Sequence, residues 1–159
     1  MQSVYIETTI PSYLGAHPSR QEPMASHQKA THLWWKTERQ RFLLYTSQLV
    51  RVEAARGDAG AAARRQMYLD SLPDLDIPPE TEPLAMSLVQ LLRIPPKAEA
   101  DATHLALTIL HQITYLLTWN CTHLANPVLQ KDLIDYCNYH RLHIPVICTP
   151  EHLISPSHD

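Results

Sequence analysis

The chain has 159 residues, of which 45% are hydrophobic, a size and composition typical of one globular domain with a sizeable core. Its formal net charge of −3 is too small to identify a partner, and no apolar run approaches the ~18 residues that span a bilayer. Only 3 glycines stand beside 13 prolines, which argues against a glycine-rich phosphate loop. With no signal-like start, we expect a single cytoplasmic domain over residues 1–159, without a membrane segment.

The cysteines and histidines give little support for a structural metal or a disulfide framework. The three cysteines, Cys121, Cys137 and Cys148, form no CxxC pair, so we expect buried or inert thiols in a reducing compartment. The ten histidines include no HExxH motif and no pairing with cysteine at zinc-finger spacing. Zinc is therefore disfavoured.

In chain order, the predicted elements alternate between short apolar strands and longer amphipathic helices. Strands are predicted at 4–6, 42–46, 74–77, 115–118 and 145–148. Helices are predicted at 23–41, 48–56, 59–72, 83–92, 98–112 and 128–140, and residues 8–12 lead through a turn towards another helix. Ser47 and Asn126 are predicted N-caps, Pro127 the first helical residue after its cap, and Gly57 a helix stop.

This alternation predicts the fold class. Strands separated by helices of ten or more residues pair in parallel, because only such a crossover returns the chain to the same edge of the sheet. We therefore expect an α/β fold, a three-layer α/β/α sandwich with a mainly parallel central sheet and the first strand near its centre. Ligands of such sheets gather at the carboxyl ends of the strands.

Three acidic residues are expected at that end of the sheet. Glu7 ends the first strand, Glu53 lies in the helix after the second, and Asp101 lies in the first turn of the helix at 98–112. Glu53 shares a helical face with Leu49 and Val50, a stripe that should point at the sheet. An unpaired buried carboxylate costs several kcal/mol, so Glu53 needs a cation or a proton.

Taken singly, each acid has a simpler explanation. Glu7 can cap the next helix or pair with an arginine, Glu53 can pair with Arg51 or Arg56, and Asp101 is favoured by the helix dipole. Their coincidence at one sheet end instead favours a divalent cation such as Mg²⁺ or Mn²⁺, which takes oxygen ligands at about 2.0–2.1 Å. Such a site can drive phosphodiester cleavage, and nearby arginines can hold RNA phosphates.

Four segments resemble, in this order, the motifs of PIN domains, especially toxins of the virulence-associated protein C (VapC) type. They are residues 5–13 (YIETTIPSY), 46–53 (TSQLVRVE), 100–106 (ADATHLA) and 116–126 (LLTWNCTHLAN). The resemblance implies a PIN-like fold and a Mg²⁺- or Mn²⁺-dependent endoribonuclease, the toxin of a toxin–antitoxin pair. It also implies a small antitoxin as inhibitor, and it suggests a homodimer.

The resemblance assigns catalytic positions residue by residue. The four positions that match the family's acidic set are Glu7, Glu53, Asp101 and Asn120. The first three would bind the metal, and Asn120 would position the metal or its water. Glu7 replaces the usual aspartate with a longer side chain, and Asn120 replaces another with a neutral amide, which weakens a second metal site. These departures also motivate a competing interpretation, a catalytically weak or inactive PIN-like module that binds RNA or a partner.

Other side chains have roles that the sequence leaves open. The hydroxyls that flank the acids resemble the family's polar supporting residues, or make ordinary strand and turn hydrogen bonds; they belong to Thr8, Thr9 and Thr118. The weaker candidates for RNA contact are Arg51, Arg56 and His104. A surface or half-buried position is the simpler explanation of His104 and His123. Trp119 could stack on RNA bases, whereas Trp34 fits the apolar stripe of its helix.

Overall fold

The computed structural model describes residues 1–120 and 126–156, and its centre is a five-stranded sheet. The strands are β1 (Ser3–Ile6), β2 (Leu43–Ser47), β3 (Asp74–Leu75), β4 (Tyr115–Leu117) and β5 (Val146–Cys148). They are all parallel and follow the order β3-β2-β1-β4-β5, with β1 in the middle. This arrangement confirms the predicted α/β fold and the central position of the first strand.

Helices cover the sheet in a three-layer α/β/α sandwich. They are α1 (Thr9–Gly15), α2 (Met24–Thr37), α3 (Gln48–Ala54), α4 (Ala59–Leu69), α5 (Thr81–Leu91), α6 (Glu99–Leu110) and α7 (Pro127–Tyr139), with 3₁₀ turns at Arg39–Arg41, Pro96–Ala98 and Pro150–Leu153. Helix α1 packs on α2 and α4, and α5 packs on α6. Each predicted helix is present, and its ends differ from the prediction by at most four residues.

Local capping chemistry sets several of these ends. The Ser47 hydroxyl accepts a hydrogen bond from the Val50 N–H, and the Asn126 side chain accepts one from the Val128 N–H, as expected of N-caps. Gly57 has φ +84°, a left-handed conformation that favours glycine and ends the turn after α3. The strand predicted for 74–77 shortens to Asp74–Leu75, because the prolines that follow cannot donate to a ladder.

The hydrophobic core lies on both faces of the central strands. The three apolar residues of β1 have no exposed surface, and neither does Trp34, whose predicted core position is confirmed. Cys137 and Cys148 are buried, as expected, while Cys121 and His123 lie outside the described residues. In the part of the chain that the structure describes, no helix is long and apolar enough to cross a membrane.

The strand order puts a topological switch point at the sheet end where the site is expected. From β1 the chain builds outward through β2 to β3 on one side, and β4 and β5 then add to the other side. The carboxyl ends of β1 and β4 therefore form the topological switch point, where parallel sheets bind ligands. Ile6 pairs with Leu117, so Glu7 and Thr118 leave the sheet side by side.

Candidate active site

Glu7 follows β1 directly, and its carboxylate is buried among neutral donors, with the residue only 5% exposed. The Thr9 N–H donates to Oε1 and Oε2 at 2.8 and 3.0 Å, and the Thr9 and Thr118 hydroxyls each donate to Oε2 at 3.0 Å. Burial raises the pKa of Glu7, although the charge of His104 and these hydrogen bonds act in the opposite direction. A cation at this carboxylate would therefore stabilise its ionised form.

Glu53 approaches the same end of the sheet from α3. Its side chain is 24% exposed, and its Oε1 contacts the Thr8 hydroxyl at 2.6 Å and the His104 Nε2 at 2.7 Å. Its Oε2 receives no hydrogen bond from the residues described. Partial burial raises the pKa of Glu53, but the hydrogen bond and charge of His104, with help from Thr8 and Arg56, hold it below its usual value. The lowered pKa favours the ionised form of Glu53, whose Oε2 accepts no hydrogen bond within residues 1–120 and 126–156.

His104 is the centre of the polar cluster and is buried, with 3% of its surface exposed. Its Nε2 contacts Glu53, and its Nδ1 lies 2.6 Å from the Tyr5 hydroxyl, which in turn contacts the Ser47 Oγ at 2.7 Å. Burial alone would lower the pKa of His104, but the hydrogen bond and charge of Glu53, and the charges of Glu7 and Asp101, raise it overall. The acids around His104 therefore favour its protonated form in a buried position.

Asp101 and Asn120 complete the acidic set at the solvent side. The Asn120 Nδ2 donates to both carboxylate oxygens of Asp101 at 2.9 Å. The Asn120 backbone N–H donates to the Thr118 hydroxyl at 2.9 Å. Through its backbone and its side chain, Asn120 therefore connects the end of β4 to Asp101 in the first turn of α6. Glu7 belongs to the same network, because it accepts a hydrogen bond from that hydroxyl.

These residues form one polar cluster, called the acidic ring below, in which hydrogen bonds and short stretches of backbone link the members. Its members are Glu7, Thr118, Asn120, Asp101, His104, Glu53, Thr8 and Thr9. From Asp101 the ring continues one helical turn along α6 to His104, and from Thr8 it returns to Glu7 through the backbone. The four residues assigned from the resemblance, and the three threonines that flank them, therefore lie together at the switch point.

The candidate RNA contacts differ in their surroundings. Arg51 donates to the Asp74 carboxylate at 2.8 Å and to the carbonyls of Leu69 and Leu72 at 3.1 and 2.8 Å, which fastens α3 to the segment after α4. Arg56 is exposed, and its charge contributes to the lowered pKa of Glu53. The expectation of a surface or half-buried His104 is wrong, because both ring nitrogens are engaged inside the protein.

The sequence missed two members of the network around His104. Tyr5 was assigned to a buried strand and Ser47 to a helix cap, but both also belong to the chain of hydrogen bonds that ends on Glu53. The available signal was Tyr5 itself, since a tyrosine in a central strand needs a buried partner for its hydroxyl. Burial raises the pKa of Tyr5 far above its usual range, so the phenol stays neutral.

The donor atoms of the acidic ring match a hard divalent cation in type. Carboxylate and amide oxygens are the ligands that Mg²⁺ and Mn²⁺ prefer, and Glu53 has an oxygen without a hydrogen bond from the described chain. Over residues 1–120 and 126–156, however, no three or more histidine, cysteine, aspartate or glutamate side chains are grouped so as to hold a metal ion. The metal site therefore stays a prediction supported by donor chemistry.

The fold and the acidic ring define an α/β protein with a cluster of carboxylates at the switch point of a parallel sheet. No protein-family model matches the chain, and no curated protein matches it either. Function is therefore inferred from the geometry of the ring and from the resemblance of the four motifs.

Proposed function

We propose that this chain is a metal-dependent endoribonuclease of the PIN-domain class, acting in the cytoplasm as the toxin of a VapC-type toxin–antitoxin pair. The observation that carries the proposal is the acidic ring at the carboxyl ends of β1 and β4. It brings together four residues that are up to 113 positions apart, at the switch point where parallel sheets bind ligands.

The proposal gives each acidic residue a role. Glu7, Glu53 and Asp101 would hold Mg²⁺ or Mn²⁺, and Asn120 would position the metal or its water through its amide. When bound, such a metal supplies charge neutralisation at the phosphate and lowers the pKa of an attacking water. The burial of Glu7 favours this role, because its carboxylate lies in a polar pocket where a cation would offset the cost of desolvation.

The neighbours of the acids would fix their orientation. His104 and Thr8 hold Oε1 of Glu53, which leaves Oε2 as the oxygen available to a cation. Thr9 and Thr118 hold Glu7 in the same way at the end of β1. Arg56 would contact a phosphate of the RNA, while water forms the new P–O bond and a ribose oxygen leaves.

Two protein partners belong to the proposal through the same resemblance. A small antitoxin would bind the toxin and inhibit it, and two copies of the chain would form a homodimer. The acidic ring would favour a basic segment of the antitoxin, since opposite charges stabilise an interface and steer its formation. Copurification with the product of a short open reading frame directly upstream would test the first partner.

A second candidate function is a PIN-like module that binds RNA or a partner without cutting it. It is favoured by the Asn120 amide, which donates to Asp101, and by His104, which already balances Glu53. Calorimetric titration with Mn²⁺ discriminates between the candidates. Binding that Asp101→Asn weakens supports the nuclease, and no heat of binding at millimolar Mn²⁺ supports the module.

Cleavage of a labelled single-stranded RNA by the purified protein tests the nuclease directly. We expect cleavage in Mg²⁺ or Mn²⁺, none in EDTA, and at least about a hundredfold loss in Asp101→Asn, because the metal contributes several kcal/mol to the transition state. The matched control is Asp135→Asn, which removes an exposed carboxylate of α7 paired with Lys131. Activity that survives both EDTA and Asp101→Asn contradicts the proposal.

A further inference from the structure

Three aromatic rings form a patch next to the acidic ring, called the aromatic patch below: Tyr13, His27 and Trp119. The rings of His27 and Trp119 are stacked, with centroids 4.1 Å apart and planes 20° from parallel. Tyr13 lies 5.5 Å from Trp119 at 29° and 6.2 Å from His27. Each of the three residues is partly exposed.

Two helices and the end of β4 build this patch and hold Trp119 in place. The Trp119 backbone N–H donates to the Thr9 hydroxyl, and its indole Nε1–H donates to the Thr31 hydroxyl, both at 2.8 Å. Thr9 is one helical turn from Tyr13 on α1, and Thr31 is one turn from His27 on α2, so each helix presents a hydroxyl and a ring to the same indole. Since Thr31 has no exposed surface, the indole has a fixed anchor.

The patch is continuous with the acidic ring. Trp119 lies between Thr118 and Asn120, which are both members of the ring. The Thr9 hydroxyl contacts Glu7 at 3.0 Å and also accepts the hydrogen bond from the Trp119 backbone. A nucleotide whose phosphate lies at the acidic ring would therefore place a neighbouring base over the patch.

We propose that the aromatic patch is a stacking site for one unpaired nucleobase of single-stranded RNA; this inference rests on the proposed function. A rigid, partly exposed indole is a suitable platform, because every base has a π-face and a fixed ring loses little entropy on binding. The contrast with Trp34 is informative. That ring is fully buried and stacks on Phe42 in the core, as expected of a purely structural tryptophan.

The test is a double-mutant cycle between Trp119 and the bases of a short RNA. Binding of fluorescein-labelled hexauridylate is measured in an Asp101→Asn background, where the proposed cleavage is suppressed, and then repeated with hexamers that carry one abasic ribose at each position in turn. We expect Trp119→Ala to weaken binding about tenfold, a stacking loss typical of one base. At one RNA position, removal of the base should weaken binding to the Asp101→Asn protein, the parent here, by the same factor of about ten. Removal of that base should not weaken binding further when Trp119→Ala is also present.

Control variants separate stacking from a loss of structure. Trp119→Phe should keep most of the affinity because it keeps a ring, and Trp35→Phe, which changes a partly buried tryptophan of α2 that contacts Tyr68, should bind like the parent. Thermal melting checks that each variant folds. If Trp119→Ala does not fold, His27→Ala replaces it and should show the same coupling to one base position.

The outcomes distinguish the patch from the nuclease. Equal binding by Trp119→Ala and the parent, or losses that add at every abasic position, overturns the stacking site, as does a parent that does not bind hexauridylate. If Trp119 is coupled to one base but the unsubstituted protein cleaves no RNA, the stacking site is supported and only the proposed nuclease is overturned. If the unsubstituted protein cleaves RNA with metal but Trp119 is coupled to no base, the nuclease is supported and the stacking site is overturned.

Discussion

The two ends of the parallel sheet differ in the polar groups that hydrogen-bond there. At the amino end, neutral groups suffice: the Ser3 hydroxyl accepts the Thr114 N–H at 2.9 Å, and the Tyr115 hydroxyl donates to Gln2 at 3.2 Å. At the carboxyl end, two ionisable side chains, Glu7 and His104, are buried instead. Because buried charge costs desolvation energy that neutral hydrogen bonds avoid, the carboxyl end carries chemistry that stability alone does not require.

The largest expected effect on stability comes from removing the His104 ring at the carboxyl end of the sheet. His104→Ala leaves Glu53 and the Tyr5 hydroxyl without their shared partner, so we expect the free energy of unfolding to fall by about 3 kcal/mol. Chemical denaturation measures the change. The matched control is His111→Ala, which removes a histidine just after the same helix whose Nε2 contacts the Asp76 carbonyl at 2.6 Å; we expect a loss of about 1 kcal/mol there.

The pH dependence of this effect has a defined sign. The lowered pKa of Glu53 means that its contribution is present above its unfolded pKa and is lost as the pH falls through the folded value. The raised pKa of His104 means that its contribution is full below its unfolded pKa and is lost as the pH rises through the folded value. The cost of His104→Ala should therefore be largest between about pH 4.3 and 6.5. A cost that is constant with pH would contradict an ion pair.

The second prediction separates stability from activity at Glu7. Glu7→Gln keeps the shape of the side chain and removes the buried charge, so we expect RNA cleavage to fall at least about a hundredfold. The free energy of unfolding should rise by about 1 kcal/mol, the usual size of a stabilising substitution. A cleavage assay and thermal melting on the same preparations measure the two changes.

The gain in stability from Glu7→Gln should depend on pH. Because burial raises the pKa of Glu7, its protonated form is favoured in the fold, and the parent loses stability as the pH rises from the unfolded pKa through the folded one. The variant and the parent should therefore converge in acid and separate towards neutral pH. A gain that is equal at all pH values would show that the charge of Glu7 is not its cause.

Much of the fold and the positions of the acids could be predicted from local patterns. Strand-forming runs separated by long helices imply a parallel sheet, and Ser47 and Asn126 mark helix starts through hydrogen bonds to residues two or three positions away. Glu7 and Thr118 follow strand ends directly, so a correct sheet places them together. These inferences depend on neighbours in sequence or on strand pairing, which a single sequence encodes well.

The missed features depend on contacts between elements that are far apart in the chain. His104 resembles a surface residue because it follows Asp101 by one turn, yet its partners are 51 and 99 positions away on α3 and β1. Arg51 belongs to a basic stretch, but its guanidinium is used by carbonyls and a carboxylate beyond α4. No periodicity in the sequence specifies such pairings, since they depend on how helices pack in three dimensions.

The third prediction compares a buried helix cap with an exposed one. Ser47→Ala removes the cap of α3 and also the hydroxyl that contacts Tyr5 at 2.7 Å, so we expect a loss of about 1.5 kcal/mol. Asp58→Ala removes the exposed cap of α4 and should cost about 1 kcal/mol. Denaturant melts of both variants give the difference. Equal losses would mean that the Tyr5 contact adds nothing at the carboxyl end.

The smallest effect is expected at the amino end of the sheet. Ser3→Ala removes one acceptor from the partly buried Thr114 N–H, so it should cost about 0.5–1 kcal/mol in thermal or chemical unfolding. RNA cleavage should stay within about twofold of the parent, because the change lies at the end of β1 opposite the acidic ring and alters no charge. A loss of cleavage comparable with that of Glu7→Gln would mean that the two ends of β1 are coupled. If Ser3→Ala and the parent cleave RNA equally well, the chemistry belongs to the carboxyl end of the sheet, where the acidic ring lies.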